Sequence, residues 1–288
     1  GPFGVPGVEV RVADSTDEER RHFERLAAAA DATLVIAPEF DGLLEARSRL
    51  VAACGGRSVG PTPGAIALCG DKLALARHLG ENGVPTIETQ PCDFAALDDS
   101  LETRPEGFVV KPRHGAGSVD TFRVTNRAEL AEAAAAFGSE VALDSVIVQP
   151  FVPGIPLSVA GIVSSRGIEL WPVCRQRIVG GSRLHYAGGS APARTGRDDA
   201  VADLARRTLA AVPGLFGYVG VDLLLPDGGE PVVVEINPRL TSSYHGYRRL
   251  AMHNLAERVV TPDSVRDAIG WRRGCVEFRP DGTSDMSR

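Results

Sequence analysis

Hydrophobic positions change their period several times along the chain, and the changes divide it into stretches. Up to about residue 70, short apolar runs alternate with stretches of helical period: VEVRV, DEERRHFERLAAAA, TLVIAPEF, then LLEARSRLVAAC ending at Gly55-Gly56. Strand, helix, strand, helix predicts a small parallel sheet covered by helices. The chain turns near Pro61 and Pro63, and Asp71 opens another helical run, DKLALARHLGENG, with Asp71 as N-cap and Gly83 as its stop. A domain boundary is expected near residue 70, giving an N-terminal α/β unit over 1–70.

From Pro85 the apolar runs shorten to strand length: PTIETQP, GFVVKP, DTFRVT, a helix from about Ala128 to Phe137, then SVIVQPF. Strands with one helix predict a small α+β unit over 71–150. After the turn at Pro153-Gly154 come PLSVAGIVSS, GIELWPVCRQRIV, the helix DDAVADLARRTLAAV stopped by Pro213-Gly214, and the strands YVGVDLLL and PVVVEINP. These predict a second sheet over 151–270, with a cleft between the two units. The tail, 271–288, carries little structural signal and its end is expected to be disordered.

Composition narrows the function classes. The chain has 288 residues, 43% of them hydrophobic and 24% charged, an ordinary globular balance with room for one large or two to three small domains. A formal net charge of −6 and the absence of a long Lys/Arg run argue against nucleic acid as a partner. No apolar stretch approaches the ~20 residues of a membrane helix and the start lacks signal-peptide character, so a cytoplasmic protein with no membrane contact is expected. Five scattered cysteines without CxxC spacing indicate neither a disulfide framework nor a zinc site. Gly1-Pro2 resembles a scar of tag cleavage, which leaves open whether residues precede it in the natural chain.

The chemistry concentrates in a few places. If Gly228-Gly229 form a two-residue hairpin loop, Asp222 falls opposite Glu235 and Asn237 opposite Gly220, whose missing side chain would leave room for a ligand. Val221, Leu223, Leu225, Val232, Val234 and Ile236 would form the buried face. Opposed carboxylates repel, and a divalent cation relieves that; Asp, Glu and Asn oxygens suit Mg²⁺ or Mn²⁺. A solvated hairpin with exposed acids is the alternative. In VVKPRHGAGSVDTFRV a lysine at a strand end precedes a small-residue loop, which can cradle phosphate or be an ordinary flexible hairpin. Lys72 by default belongs to a solvated helix face. Arg175 and Arg177 share a strand face turned either to solvent or to an anion, and Arg239, beyond Asn237, could clamp phosphate or steady an oxyanion.

Taken in order from Gly70 to Leu250, these features resemble the ATP-grasp superfamily of ligases. DKLALARHL matches its helix, FVVKPRHGAGS its phosphate loop, IVQPFVPGIPLS its hinge and following strand, and VDLLL with VEINPR its metal-binding pair. The resemblance implies an ATP-grasp fold, two α+β subdomains with the nucleotide site between them, preceded by a shortened α/β domain. By position, Lys72 and Lys111 would contact ATP phosphates, His114, Gly115, Ala116, Gly117 and Ser118 would close over them, and Gln149, Pro150, Phe151 and Val152 would hold adenine. Asp222, Glu235 and Asn237 would bind Mg²⁺, with Arg239 and Lys111 catalytic, and Ser158, Arg175 and Arg177 would stand near the substrates. Gln149 replaces the acidic residue frequent at the hinge, and Asp222 a frequent Glu.

The ending INPRLTSSYHGYRRL is similar to the subgroup containing the tyramine-glutamate ligase of methanofuran biosynthesis. There Thr241, Ser242, Ser243 and Tyr244 would line an acid or amine pocket, with an N-cap at Ser242 or Ser243 before a helix as the alternative use. The resemblance implies a carboxylate-amine ligase that uses ATP and Mg²⁺ (Mn²⁺ as a substitute), forms an acyl phosphate and releases ADP, with glutamate and tyramine or tyrosine as substrates. A small-molecule kinase of this fold and an inactive nucleotide-binding regulator are the alternatives. Self-association is left open.

Overall fold

In the computed structural model, residues 7–138, 145–264 and 267–287 are described; Gly1-Pro2 lie outside them. In chain order the elements are α1 (Thr16–Ala29), α2 (Leu43–Ala53), α3 (Pro63–Gly70), α4 (Lys72–Glu81), β1 (Gln90–Pro91), α5 (Phe94–Ser100), β2 (Phe108–Pro112), β3 (Thr121–Val124), α6 (Arg127–Phe137), β4 (Val146–Pro150), β5 (Gly154–Ser164), β6 (Gly167–Leu170), β7 (Cys174–Gly180), β8 (Arg183–Ala191), α7 (Asp198–Ala211), β9 (Gly217–Pro226), β10 (Val232–Asn237), α8 (Ser243–Leu250), α9 (Leu255–Val260), β11 (Cys275–Phe278) and β12 (Ser284–Ser287). No described helix is long and apolar enough to cross a membrane.

Among the described residues the twelve strands form one antiparallel sheet in the order β1-β4-β2-β3-β8-β7-β5-β9-β10, with β6 on β5 and the pair β11-β12 on β8. Three apolar clusters hold it. Val110, Phe122, Val124 and Val146 pack with Leu130 and Ala133 of α6 under the β4-β2-β3 end. At the β5-β9-β10 end, Val159, Val221, Val233 and Ile236 pack against Leu75 of α4 and Leu204 and Leu209 of α7. Alternation along β9 sends Tyr218 to the other face, where it meets Trp171, Tyr247 and Phe278. One side of β9 therefore lies on core throughout, while the other passes from aromatic packing at Tyr218 to a cavity at Asp222.

The predicted helices form where their caps are. Ser15 accepts from the Glu18 N–H, Asp71 from Leu73 and Ala74, and Asn126 from Ala128 and Glu129. Three helices were not expected: α3, α5 and α9. Pro63 occupies the first turn of α3 behind the N-cap Thr62, where the missing N–H costs nothing, and Asp93 caps α5.

Several strand expectations do not hold. The parallel sheet expected before residue 70 reduces to a single bridge between Thr33 and Ser58. Among the described residues VEVRV has no partner strand and its valines are exposed, and a parallel pair needs cover on both faces to be stable. PTIETQP contributes only Gln90–Pro91, with Thr86 bridging to Val233. GIELWPVCRQRIV is two strands, interrupted at Trp171-Pro172-Val173. The tail is structured: β11 pairs with β8 through Phe278↔Gly189, and β12 covers β11. β8 went unread because RLHYAGGSA carries two glycines. A Cβ on Gly188 would lie 2.1 Å from the Phe278 carbonyl oxygen and one on Gly189 2.3 Å from that of Arg175, so both mark close strand approach.

Candidate active site

The β9-β10 hairpin carries the acids. Asp222 pairs with Glu235, Val221 with Ile236 and Gly220 with Asn237, as the hairpin reading expects, although two of its premises fail. Pairing of Val232 with Leu224 makes the loop one residue longer, and a bulge between Val233 and Glu235 restores the register. The bulge also turns Val233 into the core, while Val234 lines the cavity with Glu235. Gly220 leaves no room for a ligand either, since a Cβ there would sit 2.7 Å from Thr241 Cγ2.

Asp222 and Glu235 are half-buried beside each other and titrate as an unequal pair. Burial and the neighbouring Glu235 charge push the Asp222 carboxyl well above its ordinary range. Burial opposes ionisation of Glu235 too, but the charges of Lys72 and Lys111 outweigh it and hold that carboxyl below its ordinary value. Gln176 Nε2 donates to Asp222 Oδ1 at 2.8 Å and Asn237 Nδ2 to Oδ2 at 3.1 Å.

Two lysines face these acids from separate elements. Lys72 is the first residue of α4, where the helix dipole disfavours a cation unless an anion is near. Its Nζ lies 3.8 Å from Glu235 Oε2 and donates to the Gly115 carbonyl at 2.6 Å, so it is buried and turned inward, contrary to a solvated helix face. Lys111, also buried, has its ammonium pushed down to about 8 by burial first and then by Lys72, against the pull of Glu235 and Asp222. An ion pair joins the two segments: Arg113 Nε and Nη2 donate to both carboxylate oxygens of Asp71, the α4 cap.

Lys72, Lys111, Asp222, Glu235, Asn237 and Arg239 line one cavity of about 480 Å³. Gly115, Ala116, Gly117 and Ser118 form one wall, and Gln149, Pro150, Phe151 and Val152 another. Gln149 Nε2 donates to Thr89 Oγ1, and the Phe151 N–H is taken by the Gly107 carbonyl. Gly117 and Ser118 both sit at left-handed φ, which sharply bends the loop between β2 and β3. Ser158 faces Asp222 across the β5-β9 ladder. Thr241, Ser242 and Ser243 also line the cavity, and none caps α8 by a side-chain bond. Instead Ser242 Oγ meets Tyr186 OH at 2.7 Å, and Thr241 Oγ1 meets Tyr218 OH at 2.8 Å and Ser243 Oγ at 2.7 Å.

Four expected residues stand apart. His114 bridges to Asp71, and neither it nor Tyr244 lines the cavity. Arg175 and Arg177 are exposed on the face of β7 away from it, because strand alternation gives the inner face to Gln176 and, past a bulge, to Ile178. Sequence reading missed Gln176 for that reason. Tyr186 was missed with its strand, and Glu39 because it lies 200 positions from Arg239, to which it binds.

The donor set fits a divalent cation. Lys72 and Lys111 offset the Glu235 charge, but the Asp222 carboxyl opposite it is still pushed up, which a bound cation would relieve, and the Asn237 amide can turn its oxygen to the same point. All three offer hard oxygen donors to the cavity they line, the ligand type that Mg²⁺ or Mn²⁺ prefers. Among the described residues no cluster of three His, Cys, Asp or Glu side chains offers another site.

Comparison with known proteins follows this geometry. A family model described as the ATP-grasp domain matches residues 69–243, and one described as the pre ATP-grasp 3 domain matches residues 3–66. The tyramine–L-glutamate ligase of Methanocaldococcus fervens is 25% identical over 222 residues, covering 76% of this chain; the match spans only 62% of that ligase. An ATP-grasp superfamily protein from Archaeoglobus fulgidus superposes with a TM-score of 0.66 at 27% identity, over 95% of this chain and 76% of that one. N5-carboxyaminoimidazole synthase from Aspergillus clavatus gives a TM-score of 0.73 at 18% identity, over 94% of this chain and 70% of that one.

Proposed function

The chain belongs to the ATP-grasp family, and from that premise we propose that it is an ATP-dependent carboxylate-amine ligase. The observation that carries the reading is the meeting of Lys72, Lys111, Asp222, Glu235, Asn237 and Arg239 in one cavity between a glycine loop and an opposed strand pair.

Lys72 and Lys111 would hold the phosphate chain of ATP from the α4 side and the β2 side, and the Gly115–Ser118 loop would cover it. Asp222, Glu235 and Asn237 would hold Mg²⁺, with Mn²⁺ as a substitute; when bound, the ion neutralises charge on the phosphates. The acid substrate's carboxylate attacks the γ-phosphate to give an acyl phosphate and ADP. The amine then displaces phosphate at the acyl carbon, forming the amide. Arg239 would steady the transferred phosphoryl group and then the acyl oxygen, and Lys111 would offset charge building on the phosphates. No nucleophilic side chain enters the reaction, and catalysis is positioning and charge neutralisation.

The 25% identity with the M. fervens ligase supports glutamate as the acid and tyramine as the amine, while tyrosine as an alternative amine and a place in methanofuran-type cofactor biosynthesis rest on the resemblance of the INPRLTSSYHGYRRL stretch alone. Thr241, Ser242 and Ser243 line the part of the cavity next to Arg239 and supply hydroxyls for either substrate. An ADP-release screen of acids crossed with amines tests the reading. ADP and phosphate should appear only when both are present. Release of AMP would sink the mechanism, and a stable phosphorylated acid formed without amine would make the protein a kinase.

A further inference from the structure

Arg239 does not stand alone beside the cavity. Its Nε and Nη2 both donate to Glu39 Oε2, at 3.0 and 2.8 Å, and its Nη1 donates to the Leu240 carbonyl at 3.2 Å. A guanidinium has five N–H groups. Three are thus used, leaving one on each terminal nitrogen of a side chain that lines the cavity. Those two form the end-on fork that binds phosphate or carboxylate oxygens in pairs.

Glu39 comes from the segment before α2, far in sequence from Arg239, which follows the end of β10. A tight turn follows it, with Asp41 and Gly42, two and three residues on, both at left-handed φ. Its side chain is only 6% exposed, and its second oxygen, Oε1, is buried without a hydrogen-bond partner. An ion pair built for stability alone would place one guanidinium N–H on each carboxylate oxygen. Here both converge on Oε2, and a buried acceptor is left bare, which carries a desolvation cost. What the arrangement gains is a fixed guanidinium plane.

We infer that Glu39 is the positioning residue for Arg239: it grips the Nε–Nη2 edge so that the end-on fork is kept for the transferred phosphoryl group. The segment matched by the pre ATP-grasp model thereby completes the site. This rests on the ligase reading for the identity of the anion, although not for the contact itself.

The test uses MgADP and vanadate as probes on the full chain. Calorimetry measures MgADP alone, then vanadate in saturating MgADP. Glu39→Ala should leave MgADP affinity within about twofold and weaken vanadate about 10- to 100-fold, the range for residues that orient a functional group. Glu39→Gln keeps an acceptor but loses the charge, and should recover part of the loss while remaining about threefold or more below the unmodified protein. Combined with Arg239→Ala, either change should add nothing, because its route runs through the guanidinium. If Glu39→Ala does not fold, Glu39→Gln decides, and vanadate affinity within about twofold of the unmodified protein overturns the inference. Effects that multiply in the double variant also overturn it. A protein that binds no MgADP at all overturns the nucleotide reading, and this inference with it.

Discussion

Asp222 and Glu235 stand directly opposite each other in the β9-β10 pair, yet burial and charge divide them, with the proton favoured on Asp222 and the negative charge on Glu235. A carboxyl raised in the folded state gives a contribution that is full below its unfolded value, about 3.9, and is lost as pH rises through the folded value. At neutral pH the metal-free protein therefore carries a penalty that Asp222→Asn removes. The metal-free variant should melt at a higher temperature than the unmodified protein at pH 7, with the gain gone near pH 4. Mg²⁺-dependent ADP binding should fall by about 100-fold, since a lost ligand costs at least as much as a lost second partner. A variant that keeps its Mg²⁺ dependence would remove Asp222 from the metal set.

Lys111 makes the opposite pH signature. Its ammonium, pushed down to about 8, is charged at pH 7 and neutral well above pH 8. An anionic ligand needs the charged form, so MgADP affinity should be flat below pH 8 and fall by up to about tenfold per unit above it. Without ligand the unfolded chain binds more protons than the folded one between about 8 and 10.4, so stability should rise with pH across that window. Lys111→Met should abolish both trends and stabilise the ligand-free protein. Calorimetry and melting curves at pH 7, 8, 9 and 10 check the pair of slopes.

Much of the site could be read from the sequence because it lies on local patterns. The chain VVVEIN places Glu235 and Asn237 on one face by alternation, and Asp71 announces α4 and hence Lys72. The register opposite Asp222 came out correct through two compensating departures, a longer loop and a bulge, neither of which alternation reveals. Contacts across long separations left no local signal. Gln176 and Arg177 look equally plausible on β7 until the neighbouring strands decide which faces Asp222, and nothing around Glu39 indicates Arg239. The expected strands before residue 70 had β-propensity without partners, and pairing rather than propensity makes a sheet.

Asp71 joins two parts of the site, and its removal should disturb both. It caps α4 next to Lys72 and holds Arg113, which begins the glycine loop. Asp71→Ala should cost about 2–4 kcal/mol, of which about 1 is the cap and the rest the bidentate pair. Asp71→Asn keeps the cap acceptor and should cost less. Burial works against ionisation of Asp71, but the Arg113 and Ala74 hydrogen bonds and the Arg113 charge outweigh it and hold the carboxyl below its ordinary value. The gap between the unmodified protein and Asp71→Asn should therefore be full at neutral pH and close as pH falls below about 4. Urea unfolding at pH 7 and pH 3 measures it, and a gap independent of pH would assign the stability to the cap alone.

Gly220 tests whether Thr241 is built into the sheet face beside the acids. A methyl group at Gly220 would approach Thr241 Cγ2 to 2.7 Å, and turning the threonine away would break its bonds to Tyr218 and Ser243. Gly220→Ala should then destabilise by about 1–3 kcal/mol, the usual cost of overpacking. Adding Thr241→Ser removes the clashing methyl group and keeps the hydroxyl, so the double variant should regain most of the loss. Urea unfolding of the two single variants and the double gives the coupling directly. If Thr241→Ser brings no recovery, the strain lies in the β9 backbone, and Thr241 is free to turn toward a substrate.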